Sequence, residues 1–464
     1  MNALSNVTEG QRKQVLGLST VAFTACFAVW TIFSIIGVQI QKDLGLTNAE
    51  FGILVGTPIL TGSLSRLILG IWADQYGGRI VNFILMLAAA AATFMLSYAT
   101  TYVEFLIAAL GVGLAGGSFA VGIAYVSRWY PKERQGTALG IFGMGNVGSA
   151  VTKFIAPFVM VAFGWTMVAQ AWAVALVVMA VIFYATTKDD PILVEQRRTG
   201  AKPQSAAAQL TPLKKLQVWR FALYYFFVFG AFVALALWLP RYYVGAYGLD
   251  IKTAGFLAAM YSLPASVFRA VGGWMSDKWG ARRVMYWTFG VSMVATFLLS
   301  YPTTDYVVHG INGPIRFTLE MGFIPFTVLT FTLGFFMSLG KAAVYKHIPV
   351  YYPENVGSVG GMVGMIGGLG GFILPILFGI ANDLTGVWTS CFMLLFVLVS
   401  VSMLWMHFAI RRMERKAIPA LGDLPELPEL QGLGLSDEDR RKVAAALAAR
   451  NQPQARTGGL MPAE

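Results

Sequence analysis

The chain has 464 residues, of which 56% are hydrophobic and only 12% are charged, and its formal net charge is +11. A soluble domain carries about 25% charged residues, so this composition excludes an ordinary soluble protein and predicts a chain that lies in a membrane. In such a chain the excess of lysine and arginine reflects loops that face the cytoplasm, and we do not expect the protein to bind nucleic acid.

Twelve apolar runs are each long enough to cross a bilayer, which takes about 20 residues in a helix. The runs fall in two sets of six, at about 15–40, 51–73, 80–99, 103–127, 136–160 and 165–187 and then at about 218–241, 253–275, 283–301, 322–346, 356–380 and 387–410. We therefore predict an all-α membrane protein in which twelve transmembrane helices form two pseudo-symmetric six-helix bundles. The predicted segments are an N-terminus at 1–14, the first bundle at 15–187, a linker at 188–217, the second bundle at 218–411 and a tail at 412–464.

The distribution of basic residues between the loops predicts the orientation. Lysine and arginine are concentrated in the N-terminal segment, in alternate loops, in the linker and just after the last run, whereas the opposite loops hold only Lys42, Arg241, Lys252 and Arg316. By the positive-inside rule both termini are cytoplasmic, so we predict a multi-pass protein of the cell (inner) membrane. The linker should be solvated and flexible, and the tail should be a soluble appendage with a short helix beginning at Ser436.

A short pattern occurs in both halves and indicates that the chain is an internal duplication. An arginine inside an apolar run is followed, at the same offsets, by glycine, aspartate, glycine and arginine: Arg66, Gly70, Asp74, Gly77 and Arg79 in the first half, and Arg269, Gly273, Asp277, Gly280 and Arg282 in the second. The later residues of each copy lie where the apolar run ends. We therefore expect Asp74, Arg79, Asp277 and Arg282 to form charged turns that are structural or take part in gating, and not to bind a ligand.

The leading arginines, Arg66 and Arg269, are the strongest functional signal. Each should lie about two helical turns inside its span, where an arginine that faces lipid costs from about 2.5 to more than 10 kcal/mol. A structural ion pair with a buried carboxylate is the alternative, but the predicted spans contain almost no acidic residues. We therefore predict that both arginines face an anionic ligand at the midplane, across the pseudo-twofold axis. Their planar guanidinium groups, with five donors each, suit a planar oxyanion.

Glycines repeat along the fifth and eleventh runs. Tyr130-Pro131 and Tyr352-Pro353 precede the two series, and Pro157 and Pro375 follow them. Glycines every three or four residues let membrane helices pack closely, which explains most of them, but so many in one helix also predict bare backbone at the border of a small cavity. The candidate cavity residues are Gly143, Gly145, Asn146, Gly361 and Gly364.

Two lysines, Lys153 and Lys341, should also lie inside the membrane. Each can be explained as a structural residue, but unlike arginine a buried lysine can give up its proton, which makes both residues candidates for coupling transport to protons. The two cysteines and three histidines of the chain form no grouping with ligand spacing, so neither a metal nor another cofactor is predicted.

Together these features resemble the nitrate/nitrite porter family of the major facilitator superfamily, over about residues 15–412. The charged turns, with Gly77-Gly78-Arg79 in the first copy, resemble the loop motif of the superfamily, and the glycine-rich runs resemble the two signatures of the porter family. The resemblance implies that Arg66 and Arg269 clamp the substrate and that aromatic residues of the first, fourth and seventh helices sandwich it. Those aromatic residues correspond to Phe27, Phe119, Tyr225 and Phe229.

The predicted function is secondary active transport of nitrate, with nitrite as a candidate second substrate, by alternating access. The motif Lys341-Ala-Ala-Val-Tyr-Lys346 resembles the proton-coupled bacterial branch of the family, which favours nitrate/proton symport over the alternative, nitrate/nitrite antiport. A transporter-like anion sensor that signals through its tail is a rival of another class, whereas no nucleophile–base pair or metal set predicts an enzyme. We expect a monomer whose partners are nitrate or nitrite, protons and membrane lipid.

Overall fold

The computed structural model describes residues 7–199, 214–352 and 356–417, apart from a few side chains inside helices. The helix that the sequence predicts at Ser436 lies outside the described residues. The described chain is almost entirely helical, and its long helices form twelve crossing segments in two sets of six. Ten of these segments are long and apolar enough by themselves to cross a membrane. The predicted fold class is confirmed.

The first six segments precede the linker. They are α1 (Glu9–Trp30) with α2 (Phe33–Leu44), α3 (Asn48–Tyr76), α4 (Gly78–Leu96), α5 (Tyr102–Val112) with α6 (Ser118–Ser127), α7 (Lys132–Gly143) with α8 (Gly148–Phe163), and α9 (Trp165–Thr186). Thr8, Thr47 and Thr101 begin α1, α3 and α5 with a capping box that satisfies backbone N–H groups at the helix start. Within the predicted linker the chain forms a short helix, α10 (Pro191–Thr199).

The second six segments repeat this arrangement. They are α11 (Leu216–Tyr225) with α12 (Phe232–Tyr247), α13 (Ile251–Val267) with α14 (Arg269–Trp279), α15 (Ala281–Leu299), α16 (Phe323–Tyr351), α17 (Val356–Thr385) and α18 (Ser390–Ala417). The helices α3 and α15 also occupy predicted spans. They are the two crossing segments that are not among the ten that are long and apolar enough by themselves.

Besides the break at Thr31 and Ile32, between α1 and α2, four of the crossing segments are interrupted near their middle. Short 3₁₀ turns at Gly113–Gly117 and Met144–Val147 separate α5 from α6 and α7 from α8, and a π-helical stretch at Phe226–Ala231 separates α11 from α12. The fourth break is at Phe268, between α13 and α14. Such interruptions inside helices are frequent at functional sites. These four lie beside the predicted site residues Phe119, Gly143, Phe229 and Arg269.

The second glycine of each charged turn has a backbone conformation that explains the sequence repeat. Gly77 ends α3 at φ 100° and ψ 137°, and Gly280 ends α14 at φ 85° and ψ 133°. Residues with a side chain rarely adopt a positive φ, whereas glycine does so without steric cost. The duplicated pattern therefore encodes one tight turn twice, each time between the second and third crossings of a bundle.

A β-hairpin that the sequence analysis did not predict connects α15 to α16. Its strands, β1 (Thr304–Gly310) and β2 (Gly313–Leu319), pair antiparallel with Gly310 opposite Gly313. Three crossing segments separate the hairpin from the linker, so the two lie on opposite sides of the membrane. These sides are called the hairpin side and the linker side below.

The two bundles touch closely on the hairpin side. A Cβ atom added to Gly52 of α3 would collide with the backbone of Pro375 in α17, and one added to Gly255 of α13 would lie 2.7 Å from the carbonyl oxygen of Lys153 in α8. Toward the linker side of α17, by contrast, a Cβ atom at Gly361 would meet no atom within 4 Å. The structure is therefore closed on the hairpin side.

Candidate functional site

Both predicted arginines are buried between the bundles. Arg66 in α3 is 3% exposed and Arg269, the first residue of α14, is 4% exposed. Arg66 Nη1 donates to the carbonyl oxygen of Gly364 in the other bundle at 2.9 Å, and its Nε donates to that of Gly116 at 3.3 Å. Arg269 Nη1 is buried and has no hydrogen-bond partner among the described residues. Because an unpaired buried cationic donor is costly, this atom indicates a place for an acceptor from a ligand.

Aromatic rings surround the two guanidinium groups. The ring of Phe119 is shared, since its centroid lies 5.3 Å from Arg66 Cζ and 5.5 Å from Arg269 Cζ. The other rings within 5.7 Å of a guanidinium carbon are Trp30 and Phe229 beside Arg66 and Tyr345 beside Arg269. Ring faces stabilise a cation in a desolvated setting. The fold thus brings the two duplicated arginines to one aromatic cluster, at the boundary of the bundles.

The four predicted aromatic residues do not lie equally close to the arginines. Phe119 and Phe229 contact them directly, as described above. Tyr225 lies behind Phe229, with ring centroids 5.0 Å apart and an angle of 10° between the planes, and its buried hydroxyl has no partner among the described residues. Phe27 lies one layer further away, with its ring against Trp30 at 5.3 Å and Phe232 at 6.5 Å.

Two of the predicted glycines border the arginines. A Cβ atom at Gly143 would lie 3.1 Å from Cδ, Nε and Cζ of Arg269. Gly364 offers its carbonyl oxygen to Arg66, and a Cβ atom there would lie 2.7 Å from the hydroxyl of Tyr345. At these positions the missing side chain makes room for a cation or a ring, so the glycines border the arginine pair as well as letting helices approach each other.

The remaining candidates of the glycine-rich runs have different surroundings. Gly145 packs on α1, where a Cβ atom would lie 2.5 Å from the ring of Phe23. Gly361 faces open space. Asn146 is fully buried, and neither its amide nitrogen nor its amide oxygen has a partner among the described residues. An amide that is buried with both ends unpaired is rare in proteins and is explained most simply by a polar ligand.

The charge of the interior is strongly positive. No ion pair between a carboxylate and either arginine occurs in the described part of the chain. Two lysines, Lys153 and Lys341, are fully buried as well. Lys153 Nζ donates to the carbonyl oxygen of Ser149 at 3.2 Å, whereas Lys341 Nζ lies 3.4 Å from the ring centroid of Phe232 and has no hydrogen-bond partner among the described residues. Buried cations without carboxylates favour an anionic ligand.

The residues of the charged turns lie at the linker side and make contacts within their own bundles. Arg79 Nη2 donates to the carbonyl oxygen of Tyr184 in α9 at 2.6 Å, and Asp277 forms a 2.5 Å ion pair with Lys346 of α16. Arg282 lines a small cleft at the linker-side end of the second bundle, together with Arg220 and His347. The side chain of Asp74 lies outside the described residues.

Sequence reasoning missed two aromatic residues beside the arginines. Trp30 donates from Nε1 to the carbonyl oxygen of Pro58 at 2.8 Å, which fixes the indole against Arg66. Tyr345 donates from its hydroxyl to the carbonyl oxygen of Gly360 at 2.9 Å. The available signal was spacing, because Tyr345 follows the buried Lys341 by one helical turn on the same helix face.

Comparisons of the sequence with known proteins identify the family of the chain. The profile of the Major Facilitator Superfamily matches residues 18–324 and 246–453, so the second match continues past residue 412 into the tail. A Thermus thermophilus protein named "Probable nitrate/nitrite antiporter NarK1" is 45% identical over 418 residues, which cover 87% of this chain and 92% of that protein. A Mycobacterium tuberculosis protein named "Probable nitrate/nitrite transporter NarK2" is 32% identical over 372 residues, which cover 79% and 89%.

Solved structures support the fold. A crystal structure of a bacterial homologue of the human lysosomal transporter Spinster, in an inward-facing and occupied conformation, aligns with a TM-score of 0.62 at 15% identity and covers 96% of this chain and 92% of that one. The chain therefore belongs to the major facilitator superfamily, as a multi-pass membrane transporter and not an enzyme, and within it to the nitrate/nitrite porters.

Proposed function

We propose that the protein transports nitrate, and also nitrite, through the site between its two bundles. The observation that carries the proposal is the pair of buried arginines at one ring, Phe119, without a carboxylate partner in the described residues. Nitrate is a planar oxyanion, and a guanidinium group can donate two parallel hydrogen bonds to such an anion. The names of the relatives from Thermus thermophilus and Mycobacterium tuberculosis point to the same substrates.

Several side chains have suitable chemistry for the substrate. Arg269 Nη1, the amide of Asn146 and the hydroxyl of Tyr225 are buried polar groups with unused hydrogen-bonding capacity among the described residues. The rings of Phe119 and Phe229 offer flat apolar walls that fit a flat anion and exclude a bulky hydrated one. We assign Arg66 and Arg269 the role of the clamp and Asn146 and Tyr225 that of orienting the oxygens.

The position of the proposed clamp between the bundles supports alternating access. The hydrogen bond from Arg66 to Gly364 already crosses the boundary between the bundles, and an anion held by both arginines would offset the repulsion between two buried cations as the bundles move. We assign the linker side to the cytoplasm, by the positive-inside rule, and the protein to the inner membrane as a monomer. The present conformation would then be closed to the outside.

Lys341 is our candidate for coupling transport to protons. Its ammonium nitrogen faces the ring of Phe232, whose centroid is 6.4 Å from that of Phe229 beside Arg66. A lysine can exist with or without its proton inside a protein, and a nearby anion favours the charged form. Protonation of Lys341 together with nitrate entry would give symport, because anion and proton then cross as a pair.

Replacement of the two lysines tests the coupling. We expect Lys341→Gln to abolish nitrate accumulation driven by an inward proton gradient and to spare nitrate counterflow. Lys153→Gln is the comparison, because Lys153 already donates to Ser149 and should not need to titrate. If Lys341→Gln accumulates nitrate as the parent does, Lys341 is not the coupling residue, and if both variants do so, lysine-based coupling is wrong.

Nitrate/nitrite antiport is the second candidate for the transport mode. It is favoured by the name of the 45% identical relative, a probable nitrate/nitrite antiporter. In that mode the two arginines would hold an anion in every transition, which offsets part of their charge, and no titrating group would be needed.

Counterflow in liposomes decides between these functions. The purified protein, in liposomes loaded with unlabelled nitrate, should take up labelled nitrate, and nitrite inside should replace nitrate. If symport is correct, an inward proton gradient should drive the accumulation of nitrate inside liposomes that contain no nitrate at the start. Uptake that requires nitrite or nitrate inside and ignores the pH gradient would replace symport by antiport, and nitrate binding without any flux would favour a sensor.

A further inference from the structure

The β-hairpin on the hairpin side has one apolar and one polar face. The register pairs Tyr306 with Phe317 and Val308 with Ile315 on one face. On the other face it pairs Asp305 with Thr318, Val307 with Arg316 and His309 with Pro314. Since successive side chains of a strand point to opposite faces, the hairpin is an amphipathic two-stranded sheet.

The apolar face is exposed in the structure. The large apolar side chains of the hairpin, including Ile311 at the turn, have at least a third of their surface accessible, except that Tyr306 is partly covered by the stacked ring of Phe317. An isolated two-stranded hairpin is only marginally stable in water. A surface of this kind therefore needs something apolar to cover it.

The helices at both ends of the hairpin indicate that lipid covers its apolar face. Phe297 near the end of α15 and Ile324 and Val328 near the start of α16 expose large apolar side chains, as helices do where they meet lipid. Only residues 300–303 and 320–322 separate the hairpin from these helix ends, so the short connections hold it next to the lipid-facing surface at the membrane boundary. Tyr306 at this level matches the aromatic belt of membrane proteins, which is rich in tyrosine and tryptophan. The opposite face carries Asp305, His309 and Arg316, which suit water and lipid headgroups.

We propose that the hairpin lies on the outer leaflet of the bilayer, with Val308, Ile315 and Phe317 inserted into the boundary between headgroups and acyl chains. Amphipathic helices bind membranes in this orientation, with the apolar face buried by about 5–10 Å, and the same separation of apolar and polar faces would orient an amphipathic hairpin. The hairpin would thereby anchor the α15–α16 connection on the side where the bundles are closed. This inference does not depend on which anion is transported.

Two neighbouring valines allow a matched test in the complete protein. Val307 and Val308 are 49% and 46% exposed but lie on opposite faces of β1. The native cysteines, Cys26 and Cys391, are buried and are first replaced by alanine. Val307→Cys or Val308→Cys is then spin-labelled and placed in liposomes of a neutral phospholipid, and accessibility to oxygen is compared with accessibility to a water-soluble nickel chelate.

We expect the ratio of oxygen to nickel accessibility to be several-fold higher at position 308 than at position 307. Equal ratios that both favour nickel would overturn the proposal, because the hairpin would then stand in water. A label at 308 that neither reagent reaches would also overturn it, in favour of a second protein copy over the apolar face. Both positions are exposed, so a label at either one should not prevent folding.

Discussion

At the scale of single residues, the two duplicated arginines are not equivalent. Arg66 is held by two carbonyl oxygens, while Arg269 keeps an unpaired Nη1 among the described residues. The duplication in the sequence could not show this difference, because the carbonyl partners come from Gly116 and Gly364, which are distant along the chain. The asymmetry suggests that Arg269 gives more of its hydrogen bonds to the substrate and that Arg66 also ties the bundles together.

Conservative replacement of the arginines tests the clamp. Arg269→Lys and Arg66→Lys keep the charge but remove the paired donors, and hydrogen bonds to charged groups contribute about 1.5–3 kcal/mol. We expect nitrate binding, measured by calorimetry in detergent, to weaken about 10- to 100-fold in each variant. The effects should be strongly non-additive in the double variant if one anion contacts both side chains. Normal affinity in either single variant would contradict the clamp.

A single methyl group at Gly143 should disturb Arg269. The added Cβ atom of Gly143→Ala would lie 3.1 Å from three atoms of the Arg269 side chain, closer than a van der Waals contact allows. We expect a folded protein whose affinity for nitrate is reduced, because the guanidinium group must shift by a few tenths of an ångström. Gly140→Ala is the matched control on the same helix, since its Cβ atom would meet nothing within 4 Å. Equal affinities in the two variants would show that Gly143 does not position Arg269.

At the scale of elements, the hydropathy of the sequence and the glycines of the turns predict most of the fold. The predicted runs correspond to the observed crossing segments, and Gly77 and Gly280 end helices where the charged turns were predicted. The π-helical interruption at Phe226–Ala231 was not predictable, because this stretch is apolar and gives no local signal for a change of helix type. Its geometry depends on α17, where a Cβ atom at Gly370 would lie 2.9 Å from Cα of Gly230.

The β-hairpin was missed for a related reason. Its segment contains strand-forming residues and the sequence Ile311-Asn-Gly313, which is typical of a hairpin turn. Its position between two apolar runs, however, predicts only a connection between helices. The predicted arginine pair was found because buried charge is conspicuous in an apolar sequence. Trp30 and Tyr345 were missed because an aromatic residue in a membrane helix is ordinary, and only the contacts with Arg66 and Arg269 distinguish them.

At the scale of the whole molecule, polar contacts between the bundles reinforce the closed hairpin side. Arg241 of α12 donates from Nε to Gln41 Oε1 of α2 at 2.7 Å and from Nη2 to the side-chain oxygen of Asn48, the first residue of α3. Asp383 of α17 accepts from the backbone N–H groups of Asn48 and Ala49 at 3.3 and 2.8 Å. A carboxylate at a helix N-terminus is stabilising. All these contacts must break before the bundles can part on this side.

Arg241→Gln should therefore shift the transporter away from the closed hairpin side. Loss of hydrogen bonds to a charged group, worth about 1.5–3 kcal/mol, should raise the population open to that side by about 10-fold or more. The measurement is the rate at which a membrane-impermeant thiol reagent, added on the hairpin side, modifies Ile59→Cys, because Ile59 is fully buried beside Gly371 at the boundary of the bundles. Arg316→Gln, which changes an exposed arginine of the hairpin on the same side, is the control and should leave this rate unchanged. If the Arg241 variant reacts no faster than the parent, the cross-bundle contacts of Arg241 do not hold the closed state, and packing at glycines such as Gly52 must be what stabilises it.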